Sequence, residues 1–290
     1  MIQSSCFFET PSPLPKVDNA PLEVIHESKD GYCILLKGHR NDRVVVYKTL
    51  KPEFRNDPVH QRMLRREYEI GVSLKHPGVC EVLAWRTLAD YGDSIEMEWV
   101  DGCNLADWLT DNRNDKTQVR RIFLDICDAL AYLHRKQVIH KDLKPENILV
   151  TRLGSHIKII DFGLSDTDSI LTGKDPGGTW QYAAPEVTAG GVADEKSDIY
   201  SLGVILRQAG PAFARVAKKC SAVDRSRRPA SAEEVRHELA SSASAIAVWV
   251  PLLAIAVGAV CAWLYFRNQG SASQLFLNAV QQVRDAVTTS

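Results

Sequence analysis

Eight consecutive residues, His140-Lys141-Asp142-Leu143-Lys144-Pro145-Glu146-Asn147, bring a carboxylate, an ammonium and a carboxamide within five positions of one another. A loop this short can aim Asp142, Lys144 and Asn147 into one cleft. Together they can accept a hydroxyl proton, neutralise a phosphoryl group in transit and help hold a divalent cation. Nineteen residues beyond Asp142 comes Asp161-Phe162-Gly163, directly after the apolar run Ile157–Ile160. A carboxylate released at a strand end and followed by glycine is well placed to reach a bound metal.

The flanking chain contains elements able to position these groups. Gln118–Arg135 reads as a helix, with Val119, Ile122, Phe123, Ile126, Ala129, Leu130 and Leu133 along one side. It leads into the charged loop, and the strands Ile148–Val150 and Ile157–Ile160 follow. Upstream, Tyr32–Lys37 and Arg43–Leu50 read as strands joined by the polar turn Gly38–Asp42. Period-two alternation puts Lys48 on the face of Val44 and Val46, where it either snorkels or points into a cleft. A helix over Pro58–Lys75 carries Glu67 inside an apolar stripe of Met63, Leu64, Ile70, Gly71 and Leu74. A carboxylate there is costly unless paired with a cation, and Lys48 is the natural candidate. Ser94–Val100 reads as a further strand, Asp101-Gly102 as a turn and Asn104–Thr110 as a short helix. Strands first and helices later indicate an α+β chain in two lobes with a cleft between them.

Composition narrows the field. The chain has 290 residues, 45% hydrophobic and 24% charged, as expected for a folded protein with ample core. A net charge of −1 argues against a broad nucleic-acid-binding surface. Seven scattered cysteines without a CxxC pair fit reduced thiols better than disulfides or a zinc site. The first residues show no signal-peptide pattern, and Pro11, Pro13, Pro15 and Pro21 suggest an extended, poorly ordered leader.

These residues, in this order, resemble a eukaryotic-type serine/threonine protein kinase, in a compact bacterial style. His140–Asn147 is similar to the catalytic loop, Asp161–Gly163 to the metal-binding turn, and Val45-Val46-Tyr47-Lys48 to the strand lysine. Ala184-Pro185-Glu186, with Gly178-Thr179 and Tyr182 before it, resembles the end of the activation segment. Asp198–Gly203 resembles the buried helix of the lower lobe, and Arg228 the arginine that pairs with Glu186.

The resemblance implies a two-lobed fold, ATP and Mg2+ as partners, and protein Ser/Thr hydroxyls as acceptors. Asp142 would orient and deprotonate the hydroxyl, and Lys144 would steady the phosphoryl group. Asn147 and Asp161 would hold magnesium, and Lys48, fixed by Glu67, would grip the α- and β-phosphates. Met97 would be the gatekeeper beside the adenine, Glu98–Val100 the hinge, and Gly31 the last glycine of the phosphate loop. Lys144 two residues after Asp142 fits serine/threonine rather than tyrosine specificity. A small-molecule kinase is disfavoured by Gly178–Glu186, which resembles a peptide-serving segment.

Three departures stand out. Where the family has G-x-G-x-x-G, this chain reads His26-Glu27-Ser28-Lys29-Asp30-Gly31. Fewer glycines hinder close approach of backbone amides to phosphate, so looser ATP binding is expected. Lys141 replaces the usual arginine, weakening the case for control by a phosphorylated loop, for which Thr167, Ser169 and Thr172 are candidate sites. The lower lobe is short, with 24 residues between Gly203 and Arg228. The glycine loss and the short lobe leave as the alternative a pseudokinase or scaffold that binds nucleotide or partners without efficient catalysis.

Ala245–Phe266 is 22 residues without a charge. As a helix it would span roughly 33 Å, enough for a bilayer core, with Trp249, Trp263 and Tyr265 near its ends. The expected layout is a leader over 1–20, upper lobe and hinge over 21–102, lower lobe over 103–240, a transmembrane helix over 245–266 and a tail over 267–290. Cytosolic ATP would place the kinase lobes in the cytoplasm and the tail on the opposite side.

Overall fold

The computed structural model describes residues 21–27, 31–161 and 181–241, and helical positions scattered between 255 and 281. The leader, Ser28–Asp30, Phe162, Gly163, Thr167, Ser169, Thr172, Gly178 and Thr179 lie outside the described residues, as does much of 245–290. Residues 1–237 form one compact unit and 238–290 another.

The upper lobe is a five-stranded antiparallel sheet ordered β1-β2-β3-β5-β4. Its strands are β1 (Glu23–Glu27), β2 (Cys33–Arg40), β3 (Arg43–Leu50), β4 (Val82–Leu88) and β5 (Gly92–Glu98). Helix α1 (Pro58–Val72) packs on it, capped at Asp57, whose side chain accepts from Val59 N at 3.0 Å. The β2–β3 turn is tighter than the five-residue turn expected from sequence. Asn41 and Asp42, at φ 47° and 62°, form it alone, the left-handed pair that suits a two-residue hairpin. Gly38 belongs to β2 instead. A Cβ there would come within 2.6 Å of Leu22 Cδ2, so the glycine serves close packing rather than the turn.

Helix α1 also stops earlier than its apolar stripe suggests. Ser73 caps it, and its hydroxyl bonds back to Ile70 O at 2.7 Å, competing with helix continuation. Two apolar clusters hold the sheet. Ile34, Leu36, Val45, Tyr47 and Leu88 form one, with Leu22 and Tyr91 packed against it. Leu50, Leu64, Val82 and Ile95 form the other, joined by Tyr32, Trp85 and Met97 among others.

The lower lobe is built on α3 (Lys116–Arg135), whose buried face includes Val119, Ile122, Phe123, Ile126, Leu130 and Leu133. Before it come a short strand, β6 (Gly102–Asn104), where a turn was expected, and α2 (Leu105–Asn112), capped by Asn104. Strand β6 pairs with β7 (Ile148–Thr151), which pairs with β8 (Ile157–Ile159). Helices α4 (Pro185–Thr188), α5 (Glu195–Gln208) and α6 (Ala214–Cys220) follow, then a helix over 232–241. Only Ala209, Gly210 and a 3-10 turn, Pro211–Phe213, separate α5 from α6. The two helices touch at Gly203, where a Cβ would meet Cys220 Cβ at 2.6 Å. That contact is how so short a lobe closes its core.

In the second unit, Ile255, Val257, Val260, Trp263, Leu264 and Tyr265 are helical, at 51–68% exposure. Among the described residues no helix is long and apolar enough to cross a membrane.

Candidate active site

Lys48 leaves β3 opposite Ile95 of β5 and is only 6% exposed. Its Nζ lies 2.7 Å from Glu67 Oε1 on α1 and 2.8 Å from Asp161 Oδ1. The open choice between a snorkelling lysine and one aimed into a cleft therefore resolves to the cleft. Burial opposes the ammonium charge, but the carboxylates of Asp161 and Glu67 outweigh it and hold the lysine well above its usual range. Asp161 sits just past β8 at φ 66°, a left-handed backbone that a non-glycine residue adopts at some cost. Its carboxylate remains 43% exposed.

The catalytic-loop residues converge in the lower lobe. Asp142 Oδ2 accepts from Asn147 Nδ2 at 3.0 Å and pairs with Lys144 Nζ at 2.8 Å. Asn147 Nδ2 also reaches Asp142 O at 2.8 Å. Asp142 Oδ1 is buried and has no hydrogen-bond partner among the described residues. A buried carboxylate oxygen without a partner is unfavourable, and this one keeps the capacity to accept a hydrogen bond. Asn147 O accepts from Ile160 N at 3.0 Å, and His140 Nε2 contacts Ile160 O at 3.1 Å. The loop is thereby stitched to the residue preceding Asp161.

The loop is held by a residue outside the set singled out from sequence for catalysis and binding. Asp198, 1% exposed on α5, accepts from His140 N and Lys141 N at 2.9 Å each, and its Oδ2 lies 2.9 Å from His134 Nε2. These bonds fix Lys141 at φ 66°. A carboxylate on the buried face of α5 was the available signal, since such a group requires donors. Nearby, Glu186 and Arg228 form a two-point ion pair at 2.6 and 2.8 Å. The Arg228 hydrogen bond holds the Glu186 carboxyl below its usual range, against the opposing effect of burial.

Met97 packs beside Ile95 and Leu50 at the end of β5. Glu98 donates its backbone N–H to Glu81 O at 3.0 Å, and its Oε1 accepts from Glu81 N at 2.8 Å and Lys158 Nζ at 2.6 Å. Val100 is half-buried in the following linker. His26 and Glu27 end β1 as exposed strand residues, and Gly31 re-enters before β2.

The donor set fits magnesium. Asp161 offers a carboxylate, and Asn147, with its amide nitrogen committed to Asp142, offers the amide oxygen. Magnesium is commonly held by one or two protein oxygens together with phosphates and water. Among the described residues no cluster of three or more His, Cys, Asp or Glu side chains suggests another metal site.

Comparison with known proteins agrees with this geometry. The profile of the protein kinase domain matches residues 23–209. Serine/threonine-protein kinase PrkC of Bacillus subtilis is 35% identical over 180 residues, covering 57% of this chain and 26% of its own. Serine/threonine-protein kinase PknB of Mycobacterium leprae is 34% identical over 180 residues, covering 59% and 29%. The chain thus spans about a quarter of the length of these relatives. The crystal structure of the Mycobacterium tuberculosis PknI kinase domain superposes with a TM-score of 0.57 at 22% identity, over 76% of this chain and 94% of that one. Because the protein kinase domain profile spans more than half of the chain, the chain belongs to the protein kinase family.

Proposed function

We propose that this protein transfers the γ-phosphoryl group of ATP to serine and threonine hydroxyls of proteins, and that residues 245–266 anchor it in a membrane. The observation that carries the first part is the division of labour on Asp142. Oδ2 is held by Lys144 and Asn147, while the buried Oδ1 has no hydrogen-bond partner among the described residues and keeps its lone pairs for a substrate hydroxyl. Asp142 takes the hydroxyl proton on Oδ1 as the hydroxyl oxygen attacks. Lys144 is close enough to move from Asp142 to the charge developing on the transferred group. Lys48 would grip the α- and β-phosphates, with Glu67 keeping it aimed. Magnesium would be held by Asn147 and Asp161 and would supply neutralisation of phosphate charge. Catalysis is positioning and electrostatics, without a covalent enzyme intermediate.

The alternative suggested by the glycine-poor loop and the short lobe, a pseudokinase that binds nucleotide or partners without efficient catalysis, is disfavoured by the intact set Lys48, Glu67, Asp142, Asn147 and Asp161. The test is transfer of labelled phosphate, with magnesium, to the protein itself and to a generic basic acceptor. Asp142→Asn should lose about 10²–10⁴-fold in rate while still binding nucleotide. Wild-type protein that neither binds nucleotide nor transfers phosphate would sink the proposal.

Membrane anchoring is supported by the uncharged 22-residue stretch and by the exposure of its described apolar side chains. Buried, such residues would mark a core helix; exposed all round, they suit lipid. Full-length protein should fractionate with membranes and be released on deletion of 245–266. The kinase lobes would face the cytoplasm, where ATP is found.

A further inference from the structure

The stretch of the lower lobe around α6 carries a charge excess that the cleft does not use. Arg207–Arg227 holds six basic side chains and one acidic, Asp224, in a chain whose net charge is −1. Arg207, Arg215, Lys218, Arg225 and Arg227 are all exposed. Helix α6 turns Val216, Ala217 and Cys220 into the core, which leaves Arg215 and Lys218 on its outer side. Arg207, in the last turn of α5, donates to Ser221 Oγ at 2.7 Å, and Ser221 stands one turn beyond Lys218. Between these cations and Arg225 in the chain comes Val223, 76% exposed.

Neighbouring acids answer part of this charge. Asp194 pairs with Arg225, Asp224 with Arg227 at 3.4 Å and Glu234 with Lys219 at 3.0 Å. Glu195 and Lys196, beside Arg225, offset each other. Arg207 and Lys218 have no acidic partner among the described residues. Ion pairs between exposed groups gain little and yield readily to a denser array of anions. The helix dipoles account for Arg207, Lys218 and Lys219, which end α5 and α6, but not for Arg225, Arg227 or the bare valine beside them.

The occupant follows from where the chain goes. Arg236, in the helix over 232–241, pairs with Asp128 of α3 at 2.7 Å, which ties that helix to the lobe. The proposed anchor starts at Ala245, nine residues later, a reach of at most about 30 Å. An anchored lobe therefore stays beside the headgroups. Cations flanking an exposed apolar side chain suit that boundary, where phosphates meet ammonium and guanidinium groups and a valine enters the outer acyl region. We propose that this α6 face rests on the anionic headgroups of the membrane that holds the chain, through Arg207, Arg215, Lys218, Arg225 and Arg227, with Val223 at the acyl boundary. Each such cation strengthens attachment to an anionic surface about fivefold. None of these residues belongs to the cleft, so the contact settles where the lobes lie and leaves the chemistry unchanged. The proposal rests on the anchoring reading and not on the phosphotransferase one.

The test uses the whole chain reconstituted, lobes outward, in phosphatidylcholine vesicles with or without phosphatidylglycerol. Accessible amines are acetylated, and the rate at each lysine is read by mass spectrometry. Lys218 is expected to be protected several-fold on the anionic vesicles only, while Lys116, exposed at the start of α3, keeps its rate. Raising salt to about 1 M, where the Debye length is about 3 Å, should return Lys218 to its free rate. Arg207→Gln/Arg215→Gln/Arg227→Gln should weaken the contact about 10²-fold and abolish the protection, with an unchanged melting temperature. Equal labelling of Lys218 on both kinds of vesicle overturns the proposal, as does equal protection of Lys116. Protection by soluble polyglutamate but not by anionic lipid identifies an acidic protein segment as the occupant and also overturns it. A chain that fails to enter neutral vesicles, yet shows Lys218 protected on anionic ones, counts against the anchor alone.

Discussion

Two ion pairs in this molecule are built from opposite materials. In the upper lobe a lysine meets Glu67 at one point and shares itself with Asp161 across the cleft. In the lower lobe Arg228, with a fully buried side chain, grips Glu186 at two points and also donates to Ala222 O and Lys196 O at 2.8 and 3.0 Å. Arginine's planar fork suits a bond that should never open, and lysine's single mobile charge suits one that must be handed to a ligand. On the function proposed above, the lower pair would be scaffold and the upper pair the one handed to phosphate.

That contrast can be broken from either side. Arg228→Ala strands the Glu186 carboxylate and should have the largest effect, about 3–5 kcal/mol of stability and roughly 10 °C in melting temperature. Lys48→Met should cut phosphoryl transfer about 10²–10³-fold, and because it strands the buried Glu67 carboxylate it should also cost stability. Lys48→Met/Glu67→Gln, which removes the stranded charge, should recover most of the melting temperature while transfer stays lost; no recovery would make the upper pair scaffold too. Arg228→Lys sharpens the point. It keeps the charge but loses the fork, and should cost about 1–2 kcal/mol in denaturant melts.

The smallest effect concerns acid. Glu186 titrates below its unfolded value in the native state, so its contribution is present above that unfolded value, near pH 4.5, and fades as pH falls through the lower native one. Glu186→Gln should therefore flatten the stability profile below about pH 4.5, read by melts at pH 3–6.

Much of the site was legible in the residues because charges in apolar surroundings need partners. Glu67 inside an apolar stripe pointed to Lys48, and the structure pairs them at 2.7 Å. Asp142, Lys144 and Asn147 were legible because a short loop leaves them nowhere else to converge. The upper sheet was harder to read. Strand β1 is exposed at every position, and β4 follows no clean alternation, so neither carries the period-two signal. Helix α1 ran short because a serine hydroxyl competes with the backbone, a local effect that an apolar stripe does not register. Asp198 was legible as part of the buried helix that anchors the lower lobe, but not as the holder of the charged loop, because its three donors come from a loop and a helix about sixty residues away.

The tight seat of α6 against Gly203 has a practical corollary. Cys220 faces that contact and Cys127 lies on α3, both with no exposed surface, and burial pushes the Cys127 thiol well above its usual range. Cys103, on β6, is open to solvent. A thiol reagent would modify Cys103 at once and the two sealed sulfurs only when the helices part, giving the lower lobe a built-in clock for its own breathing.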